Sequence, residues 1–305
     1  MMMGGTELSN YHLHDHILVP NTIKLHVSTI YDIDPLRHNI LWLHQAHDQS
    51  SVQNLPQLIN QLDHLVFVSH WQREQYCRWL IPNFPLEKTT VIRNAVVVPN
   101  GISSIPKSST ETRLIYSSTP FRGLDVLLDA FDLIDDNSLF LDVYSSMLVY
   151  GPSYASLDSN YEHLYERCRQ HPRIVYHGSV DQETLHRGFN RAHILAYPCT
   201  WEETSCITAM EAMIHGCLLV TSDIGALPET TAGLAITYTP NPRHAEQYAD
   251  ILVKNVTELR SGKHADRLKS QQSYAAHAFN WEQRANEWAS FFDKYNHRKT
   301  SIWRI

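Results

Sequence analysis

Between positions 113 and 238 the chain alternates short apolar runs with segments whose apolar residues recur every three or four positions. Side chains alternate across a strand and repeat at 3.6 residues on a helix, so this pattern predicts a succession of strands and amphipathic helices. Strands are expected over 114–117, 139–144, 174–176, 194–197, 218–222 and 234–238, with helices over 124–133, 161–169, 182–192 and 204–215. Strands interleaved in this way with helices specify a parallel, doubly wound α/β sheet. Such sheets bind ligands beyond the carboxyl ends of their strands.

The first hundred residues repeat the theme more loosely, with strands expected over 25–30, 39–43, 65–69 and 90–93 and helices over 52–62 and 70–80. They read as a smaller α/β lobe. Residues 99–112 carry Asn100, Gly101, two Ser-Ser pairs and Pro106, a turn-rich stretch suited to a hinge. Helices near 244–259 and 281–295 close the chain. The expected organisation is a reduced amino-terminal domain over 1–105, a second domain over 106–280, and a final helical segment over 281–305.

Composition narrows the picture. A chain of 305 residues can bury two cores, and 43% hydrophobic with 19% charged residues is ordinary for a globular protein. No apolar run approaches the roughly 18 residues of a spanning helix. Residues 1–5 lack the basic start and apolar core of a signal peptide, so a cytoplasmic location is expected. Five scattered cysteines without a CxxC spacing read as reduced thiols. A net charge of −7 argues against a general grip on nucleic acid, while leaving room for local basic patches and weak peripheral association with membranes. Nineteen histidines predict a net charge that changes steeply just below neutrality.

The chemistry concentrates in the run from Cys199 to Cys217. Glu203 falls in the loop after the strand at 194–197, and Glu211 lies eight positions on, two turns down the expected helix. Thr204 and Ser205 read as its caps, so the amides of Ser205, Cys206 and Ile207 and the positive end of the helix dipole make an anion site. A diphosphate could rest there, with carboxylates accepting hydrogen bonds from hydroxyls on either side. Two glutamates so spaced are individually ordinary surface residues, and Glu202 competes with Glu203 in a shifted register. Two other motifs read as chance: Asp32-Ile33-Asp34, a DxD of the metal-binding form, and the run His12-x-His14-Asp15-His16, which could bind zinc only if its side chains shared a face.

The order of several segments together resembles a known family. Glu203-x7-Glu211, His215-Gly216-Cys217, Thr221-Ser222-Asp223 and Gly225-Ala226-Leu227-Pro228-Glu229 follow one another as in the retaining glycosyltransferases of the GT-B fold, particularly glycosyltransferase family 4. Gly4-Gly5-Thr6-Glu7 is similar to that family's glycine-rich loop, and Leu41-Trp42-Leu43-His44 to its strand ending in an active-site histidine. Val66 to Ser69 with Trp71-Gln72, and Val91 to Asn94, resemble the last strands of its first lobe. Ser117 to Leu124 is similar to the basic phosphate loop, with Arg122 at the lysine position and Ser117 where an arginine would fall.

The resemblance implies two Rossmann-like domains facing across a cleft, the second holding the nucleotide sugar and the first the acceptor, with the last helix crossing back to the first. It implies a metal-independent retaining transfer, hexosyl in type, from a nucleotide sugar, UDP- or GDP-linked, to a glycan, lipid-linked sugar or small acceptor. In such a front-face reaction the leaving phosphate helps deprotonate the acceptor, and no further cofactor or metal is needed. The implied residues are His44 and Glu203 at the reacting sugar; Arg122, Thr204, Ser205, Cys206, Ile207, Glu211 and Gly178 at the donor; and Gly4, Gly5 and His47 on the acceptor side. Two alternatives stay open: a non-catalytic nucleotide-sugar binder, which Ser117 and the reduced first lobe favour, or a GT-B epimerase.

Overall fold

The computed structural model describes residues 4–98, 107 and 110–297. Most of the expected hinge, 99–106 with 108–109, lies outside the described residues. The chain divides into two compact units. The first contains Gly5–Val96, Glu203–Ser205 and the residues from Ala278 on; the second contains Gly4, Val97–Glu202 and Cys206–His277.

The first unit runs α1 (Gly5–His16), β1 (Ile23–Val27), β2 (His38–Leu43), α2 (Leu55–Leu58), β3 (His64–Phe67), α3 (His70–Gln75) and β4 (Thr89–Val91). Its four strands are all parallel, in the order β1-β2-β3-β4. Strand alternation divides its core. Ile40, Trp42 and Val66 face Leu13 of α1 and the aromatic residues Trp281, Trp288, Phe291 and Phe292 of the chain's last helix, Trp281–Asp293. Leu41, Leu43, Leu65 and Phe67 face the other way, onto Val52, Leu55, Leu62 and Tyr76. The last helix is tied in by the backbone as well, since Val96 N donates to Phe279 O at 2.8 Å.

Three expectations in this unit change. The strand at 25–30 stops at Val27 because Ser28 takes φ +64, which extended backbone cannot include. The helix at 52–62 is broken into 3-10 turns, Ser50–Val52 and Ile59–Gln61, flanking α2, because Pro56 has no N–H to give Val52. The helix at 70–80 begins as expected, with Ser69 Oγ accepting from Gln72 N at 2.9 Å, but widens to a π-helical turn over Tyr76–Leu80.

The second unit runs β5 (Thr112–Ser117), α4 (Leu124–Asp132), β6 (Leu139–Tyr144), α5 (Ala155–Asp158), α6 (Glu162–Gln170), β7 (Ile174–Tyr176), α7 (Gln182–Arg191), β8 (Ile194–Tyr197), α8 (Ile207–Ile214), β9 (Leu218–Ser222), α9 (Leu227–Thr230), β10 (Ile236–Tyr238), α10 (His244–Arg260) and α11 (Ala265–Ala278). The last helix of the first unit is α12. Six parallel strands lie in the order β10-β9-β8-β5-β6-β7. Leu114 to Tyr116, Ile194 to Tyr197 and Leu218 to Val220 are buried without a break, the signature of parallel strands covered on both faces. The chain builds outward from β5 to β7, then returns through α7 to β8 and builds the other way. Right-handed crossovers place α4 and α6 on one face and α7 and α8 on the other, and α7 and α8 pack together. The strand order therefore reverses between β5 and β8, the topological position at which doubly wound sheets bind ligands.

Candidate donor site at the strand reversal

The loops that follow β5 and β8 are stitched together. After β5 the chain passes through Ser118 and Thr119 into a 3-10 turn, Pro120–Arg122, and Gly123 takes φ +104 before α4. A β-carbon on Gly123 would stand 2.1 Å from the carbonyl oxygen of Pro198, so only glycine lets the two loops approach this closely. Thr200 Oγ1 donates to Phe121 O at 3.2 Å, and the Phe121 and Trp201 rings meet edge to face at 5.3 Å. The hydroxyls of Ser118 and Tyr197 are 3.3 Å apart.

This packing holds Arg122 at the reversal. Its guanidinium lies over the Phe121 ring, and Nη2 donates to the Tyr150 hydroxyl at 3.2 Å. Tyr150 comes from a 3-10 turn after β6, Met147–Tyr150, and had no signal in the sequence; only the fold brings it to Arg122. Ser117 is the last residue of β5.

Thr204 and Ser205 do not cap α8. The N-cap is Cys206, in left-handed conformation at φ +62, and the helix starts at Ile207. A non-glycine residue held there costs about 1–3 kcal/mol, and such strain clusters where a backbone must be aimed. The Cys206 side chain makes no capping hydrogen bond, and the amides of a helix start suit an anion. About one turn on, Glu211 is buried, with Oε1 3.4 Å from Nε2 of His186 on α7. His186 was not visible in the sequence, because its role depends on how α7 crosses to meet α8. Gly178 follows the edge strand β7, with β6 between it and β5. The residue before it, His177, is pinned by Asp142 at 2.8 Å and stacks on Tyr144 at 4.2 Å.

The remaining expected residues belong to the first unit. Thr204 groups there with Glu203 and Ser205, and its hydroxyl donates to the carbonyl oxygen of His44 at 2.8 Å. Glu203 is buried whereas Glu202 is exposed. His44 follows β2 and lies 4.4 Å from the Trp42 ring. The residue as a whole is partly exposed, yet Nε2 is buried with no hydrogen-bond partner among the described residues, and burial pushes the pKa down to about 3. His44 is thus a neutral donor or acceptor. The turn that carries it is fixed by buried Gln72, whose Nε2 donates to Leu43 O at 3.2 Å and Gln45 O at 2.8 Å. His47 is partly buried beside Tyr76, and its carbonyl accepts from Gln53 Nε2 at 2.8 Å. Gly5 opens α1, and Gly4 is buried just before it.

The two discounted motifs have structural employment. Asp32 pairs with Lys24, while Asp34 accepts from Leu36 N at 2.9 Å and Arg37 Nε at 2.6 Å. His12 and His16 share a face of α1 and pack against Trp281 at 5.5 and 5.4 Å. All five cysteines are unbridged. Among the described residues no group of three or more His, Cys, Asp or Glu side chains converges, and no helix is long and apolar enough to cross a membrane.

Residues 111–257, which carry the reversal, match the profile of the family described as Glycosyl transferases group 1. The segment from β5 through most of α10 is thus similar to a glycosyl transferases group 1 domain. Among curated proteins none matches the sequence. Among solved structures, a glycosyltransferase from Rickettsia africae superposes with a TM-score of 0.68 at 12% identity, covering 85% of this chain and 71% of that one. HepE of Anabaena in complex with UDP-glucose gives 0.65 at 16% identity, covering 85% and 72%. Sucrose-phosphate synthase from Thermosynechococcus elongatus gives 0.65 at 18%, covering 85% and 68%. At these identities the likeness is one of fold. The group 1 domain and the four-stranded unit are the two parallel-sheet halves of the GT-B architecture.

Proposed function

We propose that the chain is a retaining, metal-independent glycosyltransferase that moves a hexosyl group from a nucleotide sugar to a sugar-containing acceptor, in the cytoplasm. The observation that carries this reading is the construction of the strand reversal in the group 1 domain. The loop after β5 carries a guanidinium held by Phe121 and Tyr150, and the adjacent strand β8 leads into the start of α8 and the buried Glu211. A diphosphate needs a cation and N–H donors, and a ribose needs an acceptor for its hydroxyls. As the bond from the anomeric carbon to the diphosphate breaks, negative charge grows on the leaving oxygen, and Arg122 with the amides of α8 stabilises it without reorganising. The acceptor oxygen bonds to the same carbon on the same face and passes its proton to the departing phosphate. Neutral His44 and Glu203 orient the sugar. The complex of HepE with UDP-glucose supports a UDP-linked donor, with a GDP-linked one as the next choice.

Ser117, in place of a second cation, favours one alternative, a binder that holds nucleotide sugars without turning them over. Incubation with UDP-, GDP- and ADP-linked sugars, reading release of nucleoside diphosphate, separates the two. The transferase releases diphosphate and loses that release in Arg122→Ala and Glu211→Ala. Tight binding with no release across varied acceptors supports the binder instead.

A further inference from the structure

Glu211 lies beside two imidazoles. His186 contacts its Oε1, and the ring of His215, one turn along α8, is 5.1 Å from that of His186. His215 is otherwise committed: Nδ1 lies 2.8 Å from Asn190 Oδ1, and the ring stacks on Phe189. Lys107 donates to the carbonyls of His215 and Gly216 at 3.1 and 2.7 Å. Burial first, then the charges of His186 and Lys107, lowers His215 to about 4, so it is neutral near neutrality. On α7 itself Glu183 and Arg187 pair at 2.7 Å on the exposed face. Glu211 is therefore the charged group that His186 meets directly. Burial alone would lower the His186 pKa, but hydrogen bonding and charge from Glu211 outweigh burial and raise it above 6.5.

The contact is fixed by the fold. A β-carbon on Gly188 would lie 2.6 Å from Tyr144 Oη, so glycine at that position lets α7 settle against the end of β6. His186 is carried on this same crossover helix, against α8.

We propose that His186 is the positioning residue of Glu211, turning its carboxylate toward a vicinal diol such as a nucleotide ribose, and that protons and diol compete at this pair. The inference rests on reading the group 1 domain as the donor site. A diol donates two hydrogen bonds and needs a carboxylate with a set orientation and free lone pairs. Neutral His186, donating from Nε2, sets that orientation at the cost of one lone pair. Protonated His186 makes the contact an ion pair and draws charge away from the oxygens the diol would use. Linkage is reciprocal, so a bound diol lowers the His186 pKa by the factor through which protonation weakens binding. Donor affinity rises with pH through the titration of His186 and then levels.

The test is calorimetric titration of wild type, His186→Gln and His186→Ala with UDP-glucose, GDP-mannose and ADP-glucose between pH 5.5 and 8.5, with 2′,3′-dideoxy-UDP-glucose as the probe without a diol. The diphosphate of a nucleotide sugar does not itself titrate near neutrality. Wild type is expected to bind about 3- to 10-fold more weakly at the acid end, where His186 is protonated before the diol binds. His186→Gln keeps a donor that cannot titrate, so it holds the high-pH affinity within about threefold and its profile is flat. His186→Ala, its folding checked by thermal unfolding, binds about 5- to 10-fold more weakly at every pH, the loss of one hydrogen bond to a charged group. The dideoxy probe shows no pH dependence on wild type. Equal pH slopes in wild type and His186→Gln, or wild-type affinity in His186→Ala, overturn the role of His186 alone. If none of the three nucleotide sugars binds wild type, the donor-site reading falls with it.

Discussion

The two units are built from the same βα repeat and differ in how the repeat is wound. The first keeps its described strands in sequence order, β1-β2-β3-β4, whereas the second doubles back between β5 and β8. Doubling back sets the loops after β5 and β8 side by side at the strand ends, where such sheets bind ligands, and in the second unit these loops carry Arg122 and lead into α8. No described strand pair of the first unit offers such a reversal. Its polar groups at strand ends are set one by one instead: His44 by the buried amide of Gln72, and the Thr204 segment by a single hydrogen bond to the His44 carbonyl. Topology sets the place of the candidate site in the second unit; side-chain packing sets the polar groups of the first.

Substitutions in the two units should therefore fail in different ways. The largest effect is expected for Arg122→Ala, which removes the charge facing the leaving group and should lower diphosphate release by about 100- to 1,000-fold. His44→Ala, in the first unit, should reduce transfer by about 10- to 100-fold while leaving UDP affinity within about twofold, because an orienting donor is lost but the diphosphate site is not. Comparable loss of UDP binding in both variants, measured by calorimetry, would erase the division of labour. Gly123→Ala should cost about 3 kcal/mol or more, since both a left-handed φ and a 2.1 Å contact with Pro198 oppose the added carbon. Urea unfolding measures this, and a variant as stable as wild type would show that the two loops need not touch.

The smallest and broadest effect is on pH. His44 is held near 3, and His64 and His215 near 4, all by burial first, against about 6.5 in the unfolded chain. Their folded pKa values are depressed, so the unfolded state takes up protons first, and stability present above pH 6.5 is lost as pH falls toward 4. Each such histidine contributes a slope of about 1.4 kcal/mol per pH unit in that window. Urea midpoints at pH 7 and pH 5 should differ clearly, and His64→Gln should reduce the difference; equal midpoints would contradict the burial argument. The same burial corrects the expectation of a steep charge change just below neutrality, since eight of the histidines have pKa values lowered by desolvation.

Strands 194–197 and 218–222 were legible to the residue, because a strand buried on both faces leaves a largely apolar run; 139–144 and 174–176 were matched as well, although Asp142 interrupts the first and Val175 of the edge strand is exposed. α11 was not, since few of its residues are buried and its sequence carries little helical periodicity. Residues 147–161 look apolar locally yet form short turns. They are held by Asp158, which accepts from Ser146 Oγ, Met147 N and Tyr165 Oη, a convergence that spacing does not reveal. Within the candidate site, Arg122 and Glu211 were reached through the resemblance of their segments to a known family. Tyr150, Gln72 and His186 could not, because each acts through a neighbour from another element. The mistaken caps, Thr204 and Ser205, have the right chemistry for capping, but the chain turns through a left-handed Cys206 and takes Thr204 to the His44 carbonyl instead.

The central claim is that the reversal in the group 1 domain holds and activates a nucleotide sugar. Its most direct test is release of nucleoside diphosphate from a panel of UDP-, GDP- and ADP-linked sugars by wild type and by Glu211→Ala and Arg122→Ala. Release by wild type from at least one donor, lost in both variants while their unfolding transitions stay cooperative, is the predicted result; undiminished release in either folded variant would contradict it.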